Sequence, residues 1–294
     1  GANVVKNIRD YGLKVNDPGR TFFTFDCNPT GSDQKYSVNQ HICRLFAREN
    51  GIKVFDIDAG IGTHIIIDEG IVVPGATAIS TDSHANILGA IGAFGQGMGD
   101  IDIASGWSTG KIWFKVPGSV RILLKGELND KISPKDIVLN LLKRFGANSL
   151  LGYSVEIYGE AVDNMTLDQR ITISSMATEM GAIIILFPPS EKIIEYCKAC
   201  SGIEFNPVYA DPDALYFDTF EIDLEGFRNM VSRPGAPHDT VDIEELTGLK
   251  IDSGFIGSCT NGRMEDMLKS AAILKGRKVA PGVVLKIVPS TDSI

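Results

Sequence analysis

Short apolar runs alternate with longer amphipathic runs through most of the chain. Runs rich in β-branched and aromatic residues predict strands at 20–26, 53–58, 76–81 and 120–128. Runs with an apolar residue every three or four positions predict helices at 37–50, 133–146, 166–181, 190–202 and 261–275. This alternation predicts an α/β protein with parallel strands.

Two of the predicted helices carry clear signals for their ends. Ser133 is placed to cap a helix, Pro134 suits its first position, and Gly146 suits its end. Thr166 and Gln169 have the spacing of a capping box. We therefore expect both helices to begin at these signals.

The pattern of elements divides the chain into three parts. We expect a first α/β subdomain at 1–118, a second at 119–220 and the start of a third at 221–294. The turn at 117–120 and an irregular, acidic, proline-bearing stretch at 204–245 mark the boundaries. The chain stops soon after a predicted strand, so we expect the third part to be truncated.

Composition excludes several classes of function. The chain has 294 residues and a net charge of -9, without a basic stripe, which argues against a nucleic-acid partner. It has no apolar run of the about 20 residues that cross a membrane. Five cysteines at irregular spacing do not suggest a secreted disulfide framework, so a cytoplasmic protein is expected.

A turn with acid–base side chains follows the predicted strand at 76–81. Ligands collect at the carboxyl ends of strands in open α/β sheets, and Asp82 with His84 there could transfer protons. The alternative is that Asp82 only caps the next helix. Seven glycines between 89 and 110 do not match a dinucleotide-binding pattern. They predict close backbone packing or close approach to a ligand.

Other candidates are weaker when taken alone. His64 precedes an apolar run and is either a core residue or a site residue. Asp26 ends a predicted strand, and Glu179 lies late in a predicted helix. Cys197 and Cys200 form a C-x-x-C that closes a helix, where the dipole disfavours a thiolate, so we predict a structural role.

Cys259 has the most suggestive surroundings. It lies between a predicted strand and a predicted helix, flanked by the small polar residues Ser258, Thr260 and Asn261. A nearby helix N-terminus would favour a thiolate. Such a cysteine suits a nucleophile paired with one of the histidines above, or a ligand of a metal cluster. These residues alone leave both possibilities open.

Five separated motifs together resemble the family of aconitase and 3-isopropylmalate dehydratase large subunits. They keep the family's order and approximate spacing, and the resemblance runs from about residue 20 to the C-terminus. The motif sequences resemble those of the isopropylmalate and homoaconitate branch more than those of true aconitase. The motifs are "GIGTHIIIDEGIVVPG", "TDSHANILGAIGAFGQGMGDID", "TGKIWFKVPGSVRILLKGEL", "ITISSMATEMGA" and "GSCTNGRMEDM".

The resemblance implies a three-layer α/β/α fold with two similar subdomains and part of a third. It implies a hydro-lyase of a 2-hydroxy di- or tricarboxylic acid, such as 3-isopropylmalate in leucine biosynthesis. A [4Fe–4S] cluster held by three cysteines would leave one iron open as a Lewis acid. A serine from a swivelling domain or a small subunit would accept the substrate proton.

The resemblance also implies a role for each candidate residue. Cys259 would be the first cluster ligand, and Asn261 would support the cluster environment. Asp82 and His84 would handle the departing hydroxyl. The side chains implied to line the active site are Asp82, His84, His64, Glu179 and Asp26.

The sequence departs from the family pattern at several positions. Cys27 stands where the family has a histidine, Ala85 where it has a threonine, and Ser174 and Ser175 where it has a Cys–Asn pair. The family's other two cluster ligands follow the first at a distance beyond the last residue of this chain. We therefore expect a partial chain that neither holds a normal cluster nor turns over alone.

Two alternatives stay open at this point. A non-catalytic relative would keep the fold as a module that binds a carboxylic acid or a partner, and the changes at Cys27 and Ala85 favour it slightly. A thiol hydrolase would use Cys259 with His84.

Overall fold

A computed structural model describes residues 1–25, 33–127, 129 and 131–294. The prediction for Asp26 therefore lies outside the described residues. The described part contains helices and mainly parallel sheets, which confirms the predicted α/β class.

The helices and strands alternate along the chain. The α-helices are α1 (Ala2–Asp10), α2 (Gln34–Asn50), α3 (Gly62–Asp68), α4 (Asp100–Thr109), α5 (Pro134–Phe145), α6 (Glu160–Asp163), α7 (Leu167–Ser174), α8 (Glu191–Ser201) and α9 (Met264–Leu274). The strands are β1 (Phe22–Thr24), β2 (Lys53–Phe55), β3 (Thr77–Ser80), β4 (Phe94–Gly97), β5 (Ser119–Lys125), β6 (Ser154–Tyr158), β7 (Ile184–Leu186), β8 (Asp218–Asp223), β9 (Met230–Ser232), β10 (Thr240–Asp242), β11 (Ser253–Ile256) and β12 (Val284–Ile287).

The largest described sheet has the strand order β7-β6-β5-β8, and all its neighbours are parallel. The pairs β1–β2, β3–β4 and β11–β12 are also parallel, whereas β9 and β10 form an antiparallel hairpin. Ile122, Leu141 and Ile157 are fully buried between the large sheet and α5. No helix in the described ranges is long and apolar enough to cross a membrane.

The predicted helix start at Ser133 is confirmed. The Ser133 side chain accepts from the Asp136 amide, Pro134 is the first helical residue, and Gly146 ends the helix at φ 63°. The capping box of Thr166 is also present.

The predicted helix at 166–181 is wrong in its second half. The α-helix ends at Ser174, and a single 3₁₀ turn, Ser175–Ala177, follows it. Ser174 Oγ donates to the carbonyl of Ile185 at 3.0 Å, and Ser175 Oγ donates to the carbonyl of Thr172 at 3.0 Å. Such side-chain bonds to the backbone compete with a continuing helix. Because the helix ends early, the residues after Ala177 form a turn. In this turn Thr178 Oγ1 donates to the carbonyl of Ser83, which follows β3.

The stretch 204–245 is not irregular throughout, contrary to the sequence prediction. β8 lies within it and pairs with β5 along its whole length. The hairpin β9–β10 also lies within it and contacts α5. A boundary at residue 220 would cut β8, so we propose that the second subdomain extends to Asp242.

The glycines after His84 serve close backbone packing. A Cβ on Gly97 would lie 2.5 Å from the carbonyl oxygen of Asp82 and 2.9 Å from Cα of Ser83. A larger residue at position 97 would therefore push away the turn that carries His84.

Candidate functional site

His84 lies in the turn that follows β3, at the carboxyl end of that strand. Ser80 Oγ accepts from the Asp82 amide at 3.0 Å, and Asp82 Oδ1 accepts from the His84 amide at 2.9 Å. Asp82 thus does cap the 3₁₀ helix Ser83–Ile91, as the simpler interpretation predicted. The same carboxylate also faces the ring, because Oδ1 lies 3.7 Å from His84 Nδ1. The capping and electrostatic roles of Asp82 therefore coexist.

A second carboxylate approaches the other side of the His84 ring. Glu179 Oε1 lies 3.4 Å from His84 Nε2, although the two residues are 95 positions apart. Asp82 and then Glu179 raise the pKa of His84 to about 10. Burial pushes the pKa of each carboxylate upward, but His84 outweighs it and lowers both values. The imidazole is therefore a cation at neutral pH, held between two anions.

A part-buried hydrogen bond ties the His84 turn to the Glu179 turn. Asn86 is 3% exposed, and its Nδ2 donates to Thr178 Oγ1 at 2.8 Å. Thr178 Oγ1 also lies 3.3 Å from the carbonyl oxygen of Ser83. No local pattern predicts this contact, since an asparagine followed by apolar residues is usually a surface or capping residue.

His64 is fully buried in α3 and contacts the backbone of Cys259. Its Nε2 donates to the Cys259 carbonyl at 2.9 Å. Its Nδ1 has no hydrogen-bond partner in the described part of the chain. Burial, followed by the charge of Arg263, lowers the pKa of His64 to about 4. His64 is therefore neutral at pH 7 and fixes the Cys259 turn.

Cys259 is half-buried in a turn that follows β11. The preceding residue, Ser258, has a φ of 79°, which few residues other than glycine adopt. The helix α9 begins only at Met264, so its N-terminus does not directly follow Cys259, contrary to the sequence expectation. The turn is held in place by its neighbours, because Thr172 Oγ1 donates to the Thr260 carbonyl at 3.1 Å.

Asn261 is tied to two separate elements by its amide group. Its Nδ2 donates to Asp266 Oδ1 on α9 at 3.0 Å and to Thr172 Oγ1 on α7 at 3.3 Å. These bonds fix the end of the Cys259 turn. They are consistent with a supporting role for Asn261.

Arg263 is the main charged link between the Cys259 turn and the rest of the protein. Its NH1 atom donates to both oxygens of Asp68, at 2.9 and 2.7 Å, and its Nε donates to Asp168 at 2.9 Å. The Arg263 side chain is only 7% exposed. No sequence pattern distinguishes Arg263, because an arginine before a helix is usually solvated.

The remaining described cysteines lie away from this turn. Cys43 is buried in the core between α1 and α2. Cys197 and Cys200 lie on α8, and burial raises the pKa of Cys197 to about 12. An inert thiol of this kind agrees with the structural role that was predicted for the pair.

The described residues do not by themselves fit a complete [4Fe–4S] cluster. A cluster of the implied type needs three thiolates, and Cys259 supplies one. No group of three candidate metal ligands occurs in the described ranges. Cys259 itself fits one ligand position, because its turn is fixed and its side chain is half-exposed.

The structure thus gathers the candidates into two groups. One contains Asp82, His84 and Glu179, and the other contains His64, Cys259 and Asn261. An electrostatic interaction between Cys259 and His84 links the two groups.

Comparison with known proteins identifies one family of similar sequences. The sequence profile described as "Aconitase family (aconitate hydratase)" matches residues 2–248 and 244–294. The chain is 36% identical over 296 residues to "3-isopropylmalate dehydratase large subunit 1" of Methanopyrus kandleri, covering 100% of the chain and 71% of the relative. It is 39% identical over 293 residues to "3-isopropylmalate dehydratase large subunit" of Acetivibrio thermocellus, covering 99% of the chain and 70% of the relative.

A third relative matches over a shorter span. The chain is 43% identical over 261 residues to the protein of the same name from Clostridium kluyveri, covering 88% of the chain and 62% of the relative. Because the family profile matches residues 2–248 and 244–294 and these relatives are 36%, 39% and 43% identical to the chain, the chain belongs to the aconitase family.

Proposed function

We propose that this chain forms the substrate-facing part of the large subunit of a hydro-lyase that acts on a 2-hydroxy di- or tricarboxylic acid such as 3-isopropylmalate. The observation that carries the proposal is the position of His84 between Asp82 and Glu179. An imidazolium in that position is a general acid available at neutral pH.

His84 would protonate the hydroxyl group that leaves the substrate. The carbon–oxygen bond breaks, the proton moves from Nε2 to that oxygen, and the product is water. The 3.4 Å separation from Glu179 is long for a charge-assisted hydrogen bond, so the Nε2 proton can be shared with an incoming hydroxyl. Asp82 and Glu179 would keep the ring oriented, and in the reverse hydration the attacking water would return its proton to Nε2.

Two further parts belong to the complete enzyme. A serine on a small subunit or swivelling domain would take the proton from the neighbouring carbon, and the relatives' names as large subunits support such a partner. The cluster, with Cys259 as one ligand, would polarise the same hydroxyl when bound. A cytoplasmic location is also part of this proposal.

Anaerobic reconstitution tests the proposal. The complete large subunit with its small subunit should convert 3-isopropylmalate to the unsaturated diacid, followed by the ultraviolet absorbance of the new double bond. His84→Asn should lose most of this activity, whereas the control His41→Asn, exposed on α2, should keep it. An inert wild-type enzyme that still binds the diacid would instead support a non-catalytic module.

The isolated chain of residues 1–294 gives a second check. We expect it to take up no stoichiometric cluster and to show no turnover, because one thiolate cannot replace three. A complete cluster spectrum together with dehydratase activity from this chain alone would contradict that expectation.

A further inference from the structure

Lys135 is a cation that faces the site without an anionic partner. It occupies the second position of α5, between Pro134 and Asp136. The one contact of its ammonium group in the described structure is with the thioether of Met176, at 3.8 Å from Nζ to Sδ. Thioether sulfur is a weak acceptor. The neighbouring carboxylate of Asp136 is already engaged by Ser133.

The charges around Lys135 belong to the site. Glu179, Cys259 and Asp266 interact electrostatically with its ammonium group, although none forms an ion pair with it. Met176 lies on the 3₁₀ turn that leads directly into Glu179. The Lys135 side chain therefore reaches the space beside Glu179 and the Cys259 turn.

Two electrostatic effects disfavour the charged form of Lys135. A cation in the first turn of a helix opposes the helix dipole, which favours anions there. Burial of the side chain lowers the pKa of Lys135, so the charged form loses part of its hydration. The other cations of the site, His84 and Arg263, each contact carboxylates. Lys135 is thus the described site cation that is available for an incoming anion.

We propose that Lys135 binds the second carboxylate of the substrate, the one that a 2-hydroxy monoacid lacks, and so orients the hydroxy diacid next to His84. The proposal rests on the proposed function and adds a substrate-binding residue to it. A diacid brings two negative charges to a site whose other cations are already neutralised by protein carboxylates. An ammonium group that lacks an ion pair matches that requirement.

Kinetics of the complete enzyme test the proposal with two matched ligands. 3-Isopropylmalate carries two carboxylates, and 2-hydroxyisocaproate is the same molecule with one carboxylate replaced by hydrogen. Lys135→Met should raise the KM for 3-isopropylmalate by about tenfold or more, the cost of a lost charge-assisted bond. It should change the inhibition constant of 2-hydroxyisocaproate much less. Lys135→Arg should restore part of the affinity.

Lys143→Met is the control, because Lys143 lies exposed on the same helix. It should leave both constants unchanged. Lys135→Met should also leave the thermal stability of the ligand-free chain unchanged or higher, which a purely structural lysine would not do. An unaltered KM in an active Lys135→Met enzyme overturns the proposal while leaving the proposed function intact. A wild-type enzyme that does not process the diacid overturns both.

One measurement needs no variant that could misfold. With 13Cε-labelled lysine in the wild-type enzyme, adding 3-isopropylmalate should shift the Lys135 resonance, and adding 2-hydroxyisocaproate should shift it less. Equal shifts from both ligands, or none from either in an active enzyme, would overturn the assignment of a carboxylate contact.

Discussion

Asn86 Nδ2 donates to Thr178 Oγ1 at 2.8 Å, and this bond joins the turn of His84 to the turn of Glu179. Both partners are one or two positions from the residues that form the charged pair. The relative position of His84 and Glu179 is therefore set by a neutral contact beside them.

Replacing Thr178 with valine tests this arrangement. The buried Asn86 amide would lose its acceptor, so we expect the free energy of unfolding to fall by about 1–3 kcal/mol in urea titrations. The pKa of His84, followed by NMR, should fall as the pair loosens. Thr219→Val on the exposed face of β8 is the control and should change neither quantity. An unchanged pKa in Thr178→Val would show that the pair holds itself in place.

Glu179→Gln should lower the pKa of His84 without returning it to the value of a free histidine. Glu179 is the second contributor to the raised pKa, and Asp82, the first, remains. A 15N titration of the histidine ring measures this directly. Glu195→Gln on the exposed side of α8 should have no effect. If both variants gave the wild-type curve, the ion pair with Glu179 would be absent in solution.

The free energy of unfolding should depend on pH between about 6.5 and 10 because of the titration of His84. The folded pKa, about 10, lies above the unfolded value of about 6.5. Protonated His84 therefore stabilises the fold fully below about pH 6.5, and this contribution is lost as the pH rises toward 10. The stability difference between wild type and His84→Gln should shrink across that window. A difference that stayed constant from pH 6 to pH 10 would contradict the raised pKa.

Removing Arg263 should destabilise the chain more than any of these changes. Arg263→Met would leave Asp68 and Asp168, each 16% exposed, without their cation, and we expect a loss of about 3–5 kcal/mol. Arg263→Lys should recover only part of it, because an ammonium group cannot match the guanidinium geometry. The exposed Arg277→Met serves as the control. Equal urea midpoints for Arg263→Met and Arg277→Met would exclude this role.

Local signals predicted the elements whose ends are set by neighbouring residues. The helix α5 was placed within about one residue, because Ser133, Pro134 and Gly146 act on the backbone next to them. The end of α7 was misplaced, because Ser174 bonds to Ile185, a partner that no local pattern indicates. β8 was missed, because most of its side chains are exposed and its apolar signal is weak.

The sequence predicted which residues form the site, but it did not predict which of them are in contact. His84, Glu179 and Cys259 lie in separate recognisable motifs. The contact between His84 and Glu179 could not be predicted, because the two residues are 95 positions apart in the sequence. No sequence pattern marks Lys135 and Arg263 as site residues, because charged residues near helix ends are usually solvated. Their importance comes from burial and from partners supplied by the tertiary structure.

The Arg263 network also bears on how the chain folds as it is synthesised. Asp68 precedes Arg263 by 195 positions, which a ribosome takes about 10–40 s to add. Once Asp168 is also made, the two carboxylates still lack the cation that brings them together, and their like charges oppose their approach. The Cys259 turn directly precedes Arg263 in the sequence and is therefore synthesised just before it. The ion pairs of Arg263 with Asp68 and Asp168 can therefore form only after the Cys259 turn has been synthesised.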